Sequence, residues 1–266
     1  MKKSILITGA YGGMGKATAA LFAKMGFSVF ALDRNVKGEE CDGIIPIEAD
    51  ITNENSVKAA FEKIRNATDS LFAIIHFAGV YMLDSLVEME TVAFEKIFKV
   101  NLEGAFLVNK TFLPLMKASS RILITTSELA PLDPLPFTGI YAVSKAALDK
   151  YAYSLRLELQ LLGISVSVLR AGAVDTGMIG VSMAALDNFC KRTRLYSCNA
   201  ERFKRIVDGV EARKIKPQKI AEKSLKILTK SKPRFAYSIN RNPLLLILNS
   251  LPKSFQLWII RIILKK

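Results

Sequence analysis

The 266-residue chain predicts an α/β fold: a single doubly wound parallel sheet with helices on both faces. Three observations carry this. Over the first 170 residues, short β-rich apolar runs alternate with longer stretches of helical spacing. The first run passes into a glycine-rich turn, Thr8-Gly9-Ala10-Tyr11-Gly12-Gly13-Met14-Gly15, which opens a helix. Half of all residues are hydrophobic and no repeat or low-complexity linker interrupts them, so residues 1–266 read as one domain with a large core.

The elements follow in order. Ser4–Thr8 reads as a buried strand, and residues 13–25 as a helix with Ala17, Ala20, Leu21 and Met25 on one face. Ser28–Leu32 and Ile44–Ala49 are the second and third strands. Asn53–Asn66 is helical, with Val57, Ala60, Phe61 and Ile64 at helix spacing. Leu71–Phe77 is a fourth strand, Leu102–Met116 a helix, and Ile122–Thr126 a fifth strand. Tyr141–Leu162 is a long helix and Ser165–Leu169 a sixth strand. Such alternation implies parallel pairing through right-handed crossovers. Beyond residue 172 the rhythm changes. Residues 173–215 are polar and basic with helical stretches, Lys219–Leu228 resumes a helix, and Arg234–Ile239 reads as one more strand. The segment 243–266 is rich in Leu and Ile, broken by Asn249-Ser250-Leu251-Pro252-Lys253.

The net charge of +14 is unevenly placed. Residues 1–189 carry 18 basic and 20 acidic side chains, net −2, whereas residues 190–266 carry 20 basic and 4 acidic, net +16. A uniformly basic nucleic-acid coat is a poor description of this distribution, and nucleic acid ranks last among partners. One histidine, His76, rules out a His-cluster metal site. The cysteines Cys41, Cys190 and Cys198 show no C-x-x-C spacing, which predicts no zinc site, no disulfide framework and a reducing, cytoplasmic compartment. The apolar run after Met1-Lys2-Lys3 ends at Thr8-Gly9, short of the ~7–15 residues of a signal peptide. No run reaches the ~18 apolar residues of a membrane span.

The glycine turn has the order T-G-x-x-x-G-x-G, not G-x-G-x-x-G. Glycines between a strand and a helix let the backbone approach a diphosphate at the helix N-terminus. Asp33 ends the second strand, 24 residues after Gly9. A carboxylate there accepts from both ribose hydroxyls and repels a 2′-phosphate, which favours NAD; Arg34, beside it, is the feature that would suit NADP. Lys16 lies in the first helical turn without a G-K-[ST] sequence, which excludes a P-loop kinase. Tyr141-Ala142-Val143-Ser144-Lys145 places a phenol and an ammonium on one helical face. A phenol of pKa ~10 needs a nearby cation to act near neutrality. Ser127 ends the fifth strand, where side chains point into the ligand crevice, and Asn101 reads as the N-cap of the helix that follows.

Together, Thr8-Gly9-x-x-x-Gly13-x-Gly15, Asp50, Ala78-Gly79, Asn101, Ser127 and Tyr141-x-x-x-Lys145 resemble the short-chain dehydrogenase/reductase family over roughly residues 4–176. The resemblance implies a Rossmann-like fold and a nicotinamide cofactor. It implies Tyr141 as general acid/base and Lys145 as the group that lowers its pKa and holds the nicotinamide ribose. It further implies Ser127 as the hydrogen-bond partner of the substrate oxygen and Asn101 as support for a water-linked proton relay to Lys145. It puts Met14 in the cofactor loop and Asp50-Ile51 beside the adenine. It aligns Ala171-Gly172-Ala173-Val174-Asp175-Thr176 with the family's P-G-x-x-x-T, so that Gly172, Val174 and Thr176 face the carboxamide. Three departures stand out: His76-Phe77-Ala78-Gly79 replaces N-N-A-G, Ala171 replaces the proline, and the Ser127–Tyr141 spacing is one residue longer, leaving Thr126 as a lesser stand-in for Ser127. His76 is expected to be structural. A Ser-His-Asp hydrolase is excluded, because Ser127 lacks a G-x-S-x-G setting.

The stretch after Thr176 is expected to form a substrate lid. Met178, Ile179, Val181, Met183, Leu186 and Phe189, with Glu128, Leu129 and Leu132 to Leu135, predict a pocket for a hydrophobic alcohol or ketone, hydroxysteroid-like or 3-oxoacyl in type. The competing reading is a non-catalytic nucleotide sensor or scaffold on the same fold. The basic end, about 242–266, has Phe255, Trp258, Ile259, Ile262 and Ile263 at helical spacing. It suits a neighbouring subunit of a homo-oligomer (dimer or tetramer), an anionic acyl carrier, or peripheral membrane contact.

Overall fold

The computed structural model describes residues 2–36, 42–210 and 214–265. Cys41, Lys266 and the side chain of Ile179 lie outside the described residues. Seven parallel strands form one sheet in the order β3-β2-β1-β4-β5-β6-β7. They are β1 (Ser4–Thr8), β2 (Ser28–Asp33), β3 (Ile44–Glu48), β4 (Leu71–His76), β5 (Met116–Ser127), β6 (Ser165–Ala171) and β7 (Ala236–Ile239). The order reverses between β1 and β4, so a crevice opens beyond their C-terminal ends.

Burial on both faces explains the strand sequences. Leu6, Phe30, Ile74, Ile122, Ile124 and Val166 turn to one side of the sheet. There they meet α2 (Glu54–Arg65), α4 (Gly104–Phe112) and α5 (Gly139–Leu159) through Val57, Ile64, Val108, Phe112 and Leu148. Ile5, Ile7, Val29, Ile75 and Leu123, one residue out of phase, turn to the other side. They meet α1 (Gly13–Lys24) and α8 (Pro217–Leu228) through Phe22, Ile220 and Ile227. Each fully buried Phe or Ile contributes ~1.5–3 kcal/mol.

Two elements differ from the sequence reading. The helix expected from Leu102 begins earlier, as α3 (Thr91–Phe98), and runs through a π-helical turn at Lys99–Glu103 into α4. Asn101 is therefore inside a continuous helical path and is not an N-cap. The fifth strand starts at Met116 rather than Ile122, after a single 3-10 turn at Leu113–Leu115. Its first residues are polar and pair irregularly with β4, between Leu71 and Ala73, so they lack the apolar run that marks a strand.

Beyond β6, α6 (Gly177–Arg192) and α7 (Ser197–Val210) occupy the stretch read as a lid, and α9 (Pro243–Ser250) and α10 (Lys253–Leu264) follow β7. Leu83, Leu186, Phe189, Ala200, Phe203 and Leu264 make a third, smaller core between lid, tail and the loop after β4. Phe137, at φ +67°, holds its centre against Phe189, Tyr196 and Phe203, with ring centroids 4.7, 5.3 and 5.6 Å away. Among the described residues no helix is long and apolar enough to cross a membrane.

Candidate active site

The glycine turn follows from close backbone approach. Gly9, at φ +66°, would bring a Cβ within 2.5 Å of the Ala78 nitrogen. A Cβ on Gly15 would come within 2.1 Å of the Gly9 oxygen. The turn thus folds back on itself beneath the N-terminus of α1 and against the end of β4, a cradle that only glycine leaves open. Thr8 is fully buried, and its hydroxyl accepts from the Ala78 N–H at 3.4 Å.

A cleft of about 1170 Å³ runs along this edge of the sheet. Gly9, Gly13, Met14, Gly15, Asp33 and Arg34 line one part of it, and Asp50, Ile51, Ala78, Gly79, Thr176 and Met178 line the rest. Asp33 accepts from the Tyr11 N–H at 3.0 Å, which ties the end of β2 to the glycine turn. Burial raises the Asp50 carboxyl. Hydrogen bonds from the Thr52 N–H and hydroxyl, with the charges of Arg34 and Lys99, outweigh it and hold the carboxyl below its ordinary value.

Behind Gly79 lie the predicted catalytic residues. Tyr141 and Lys145 are one turn apart on α5, with the Lys145 Nζ 5.8 Å from the Tyr141 ring centre. Burial pushes the Tyr141 phenol up to about 12, and a hydrogen bond with Ser127 offsets only part of this. The Ser127 hydroxyl also accepts from the Leu129 N–H at 3.2 Å, which holds it in place. Burial pushes the Lys145 ammonium down to about 8. Its Nζ donates to the Thr125 carbonyl at a long 3.5 Å, and among the described residues no carboxylate pairs with it. At neutral pH the phenol keeps its proton, and the ammonium is still charged in a ratio of about ten to one.

Asn101 spends its amide on structure. Its Oδ1 accepts from the Val80 N–H at 2.8 Å, and its Nδ2 donates to the Val80 carbonyl at 3.0 Å and the Ser144 hydroxyl at 3.1 Å. The Ser144 hydroxyl donates to the Tyr141 carbonyl, so Asn101 links the strand-end loop to the helix that carries the phenol. A Cβ at Gly79 would lie 3.1 Å from Asn101 Oδ1 and 3.3 Å from Lys145 Nζ. Those two atoms therefore share one small space at the cleft wall.

Several expectations are corrected. Thr126 is not a stand-in for Ser127: its hydroxyl donates to Asp149, which also binds Arg170, on the far side of β5. Glu128 does not face a substrate pocket. Its carboxylate accepts from the Asn242 N–H at 2.6 Å and anchors the start of α9; burial raises it. Met183 is exposed and outside the cleft. Val174 buries its side chain in the layer with Ile215, and neither it nor Gly172 lines the cleft. Gly172 is needed for another reason, since a Cβ there would lie 1.9 Å from the Asn240 oxygen. His76 is structural as expected. Its Nε2 hydrogen-bonds Asn109 Oδ1 at 2.9 Å, and burial holds it down to about 4. Ala171 pairs regularly with Ser127 and Ile239 without the family's proline.

Sequence reasoning missed Tyr81, which lines the cleft and sets its ring 4.8 Å from that of Tyr141. It also missed Ser144, although its place inside the Y-x-x-x-K interval was a signal. Tyr81 sits in an irregular stretch where no periodicity points to it.

The glycine cradle, the acidic end of β2 and a buried ammonium with one long contact fit an extended dinucleotide with its nicotinamide end toward Lys145. The chain matches the short chain dehydrogenase family over residues 3–186. It is 31% identical over 210 residues to estradiol 17-beta-dehydrogenase 2 of Mus musculus, across 71% of this chain and 55% of that protein. It is 32% identical over 182 residues to the NADPH-dependent 1-acyldihydroxyacetone phosphate reductase of Schizosaccharomyces pombe, across 66% of this chain and 61% of that protein. The matched region thus spans little more than half the length of these relatives. The fold superposes on the Brucella melitensis 3-ketoacyl-(acyl-carrier-protein) reductase complexed with NADH. The TM-score is 0.72 at 24% identity, covering 89% of this chain and 96% of that one. By its motifs, its sheet order and these matches, the chain belongs to the short-chain dehydrogenase family.

Proposed function

We propose that this chain is an NAD(P)-dependent oxidoreductase that interconverts a hydrophobic secondary alcohol and its ketone. The observation that carries this reading is the half-buried Tyr141, one turn from the buried Lys145 that no carboxylate pairs among the described residues, beside a cleft lined by the glycine turn, Asp33 and Gly79. Bound there, a nicotinamide would supply or take the hydride at the carbinol carbon and, when oxidised, add a positive charge beside the phenol. In reduction, the Tyr141 hydroxyl gives its proton to the carbonyl oxygen as that carbon gains the hydride. In oxidation, the phenolate takes the proton back from the alcohol. Ser127 holds the substrate oxygen, and Lys145 stabilises the phenolate. Asn101 fixes the helix turn carrying Tyr141, and a water between Asn101 and Lys145 would return the proton to solvent.

A phenol held at about 12 is a poor base near neutrality, so the oxidised cofactor's charge is needed for alcohol oxidation. Asp33, tied to the Tyr11 N–H and lining the cleft, supports NAD over NADP. The side chains of Tyr81, Met178 and Val181 that line the cleft support a hydroxysteroid-like or 3-oxoacyl substrate. The names of the mouse and Brucella relatives point the same way. The test is hydride turnover against a ketone panel for wild type and Tyr141→Phe. The variant should lose ~10²–10⁴-fold in turnover with cofactor affinity kept. Cofactor binding by the wild type without turnover of any ketone would favour a nucleotide sensor instead. In the same titration NAD(H) should bind more tightly than NADP(H), and Asp33→Ala should narrow or reverse the preference.

A further inference from the structure

We propose that α9 and α10 form an interfacial patch that seats this protein on an anionic bilayer surface without crossing it. α10 is apolar on two opposite sides. Ile260 and Leu264, four residues apart, pack into the third core, and α10 lies against α7 on this side. Phe255, Trp258 and Ile262 form a second stripe on the opposite side, where Trp258 is 54% exposed and Ile262 57%. Phe255 and Trp258 stack with centroids 5.2 Å apart, so the stripe is an ordered surface. α9 adds to it: Leu244 is 65% and Ile247 61% exposed, and no residue of α9 is buried. A surface helix normally puts its polar side outward, so a helix apolar on both sides has a second apolar neighbour.

Charge selects that neighbour. Residues 241–266 contain Arg241, Lys253, Arg261, Lys265 and Lys266 and no acidic residue at all. Trp and Phe among aliphatics, with cations alongside, is the composition of a helix lying in a headgroup layer. Lys253 pairs with Asp133 and Arg241 lies beside Glu128, but a twofold contact with a second copy would set Arg261 and the terminal lysines against their own copies, with no acid in the segment to neutralise them. An acidic carrier protein would answer the cations but leave the aliphatic and aromatic stripe to find its own cover. An anionic bilayer answers both.

The patch is firmly mounted. The Asp133 N–H donates to Asn249 Oδ1 at 2.6 Å and the Asp133 carboxylate pairs with Lys253. Glu128 caps the chain just before α9. These anchors belong to the loop that follows Ser127.

Trp258 is the only tryptophan in the chain, so its fluorescence reports this patch directly. The experiment mixes the full-length protein with vesicles of phosphatidylcholine alone or with phosphatidylserine, followed by flotation and by Trp emission. Phe255→Glu/Ile262→Glu serves as the variant, since both side chains are exposed and neither supports the fold. The expected result is flotation with phosphatidylserine vesicles, a blue shift of Trp258, and weaker binding when salt rises from ~0.05 to ~0.5 M. The variant should float at least ~10-fold less, with unchanged melting temperature and cofactor affinity. Absence of flotation at low salt would overturn the proposal. So would a wild-type dimer that the variant converts to monomer without any vesicle binding, or binding to an acidic carrier protein in place of vesicles.

Discussion

The two ends of the cleft are built by different means. Around the nucleotide half, position is set by backbone. Gly9 and Gly15 pack main chain on main chain, and parallel ladders fix Thr8, Asp33 and Ser127 at strand ends. The lid and tail hang on side chains instead. Asp84 pairs with Arg192, the Glu88 carboxylate accepts from the Thr193 hydroxyl and the Arg194 and Leu195 N–H groups, and a small aromatic core surrounds Phe137. Backbone contacts tolerate almost no change of residue, whereas side-chain contacts can be exchanged. The difference teaches that the glycine-turn end is set by main-chain contacts and the α6–α10 end by side-chain contacts that can be exchanged. The charge asymmetry, −2 over residues 1–189 against +16 over 190–266, follows the same division.

This contrast can be broken at its strongest point first. Gly15→Val would push a side chain into the Gly9 carbonyl, and we expect a loss above ~4 kcal/mol with no measurable cofactor binding. Chemical denaturation and cofactor titration read both effects. A stable, cofactor-binding variant would show that the turn is not a rigid template.

Acid should strike the sheet region next. His76 is buried and neutral, with its pKa held to about 4, while the unfolded chain takes up that proton near 6.5. Its contribution is full above pH 6.5 and is lost as pH falls from 6.5 toward 4, worth about 3 kcal/mol in all. His76→Asn should flatten that limb of the stability–pH curve. An unchanged slope would contradict the assignment.

In the lid, Phe137→Ala should cost about 2 kcal/mol by opening a cavity among Phe189, Tyr196 and Phe203. The cost should appear as a raised KM for ketone with cofactor affinity intact. An equal loss of cofactor affinity would mean that the two ends are one rigid unit. The smallest effect is expected from Glu88→Gln, which weakens the acceptor for two exposed amides. Hydrogen exchange at Arg194 and Leu195 should quicken with the melting temperature unchanged.

Much of this was legible in the residues. The strands announced themselves because both faces of a parallel sheet are buried, so β1, β2, β4 and β6 read as short apolar runs. The start of β5 was hidden because Lys117, Ala118, Ser119 and Ser120 form no apolar run, and the pairing with β4 passes from Met116 before them to Arg121 after them. Asn101 was misread as a cap, because a π-helical turn leaves no mark in helical spacing. Glu128 and Met183 were placed in the pocket by their neighbours in sequence. Residues adjacent in the chain take opposite directions once a strand ends.

The amino-acid sequence alone determined the fold class and the glycine cradle, and it singled out Ser127, Tyr141 and Lys145 as candidates. Those features depend on local spacing and on which residue types backbone and chemistry accept. Tertiary structure alone decided the rest. It turned Thr126 toward Asp149 and Ser127 toward Tyr141, set Tyr81 against the phenol, and spent Glu128 on α9. It also buried one side of α10 and left the other bare. Each of these depends on which distant segments meet, and burial, which sets both the partners and the proton affinities of these groups, exists only once they do.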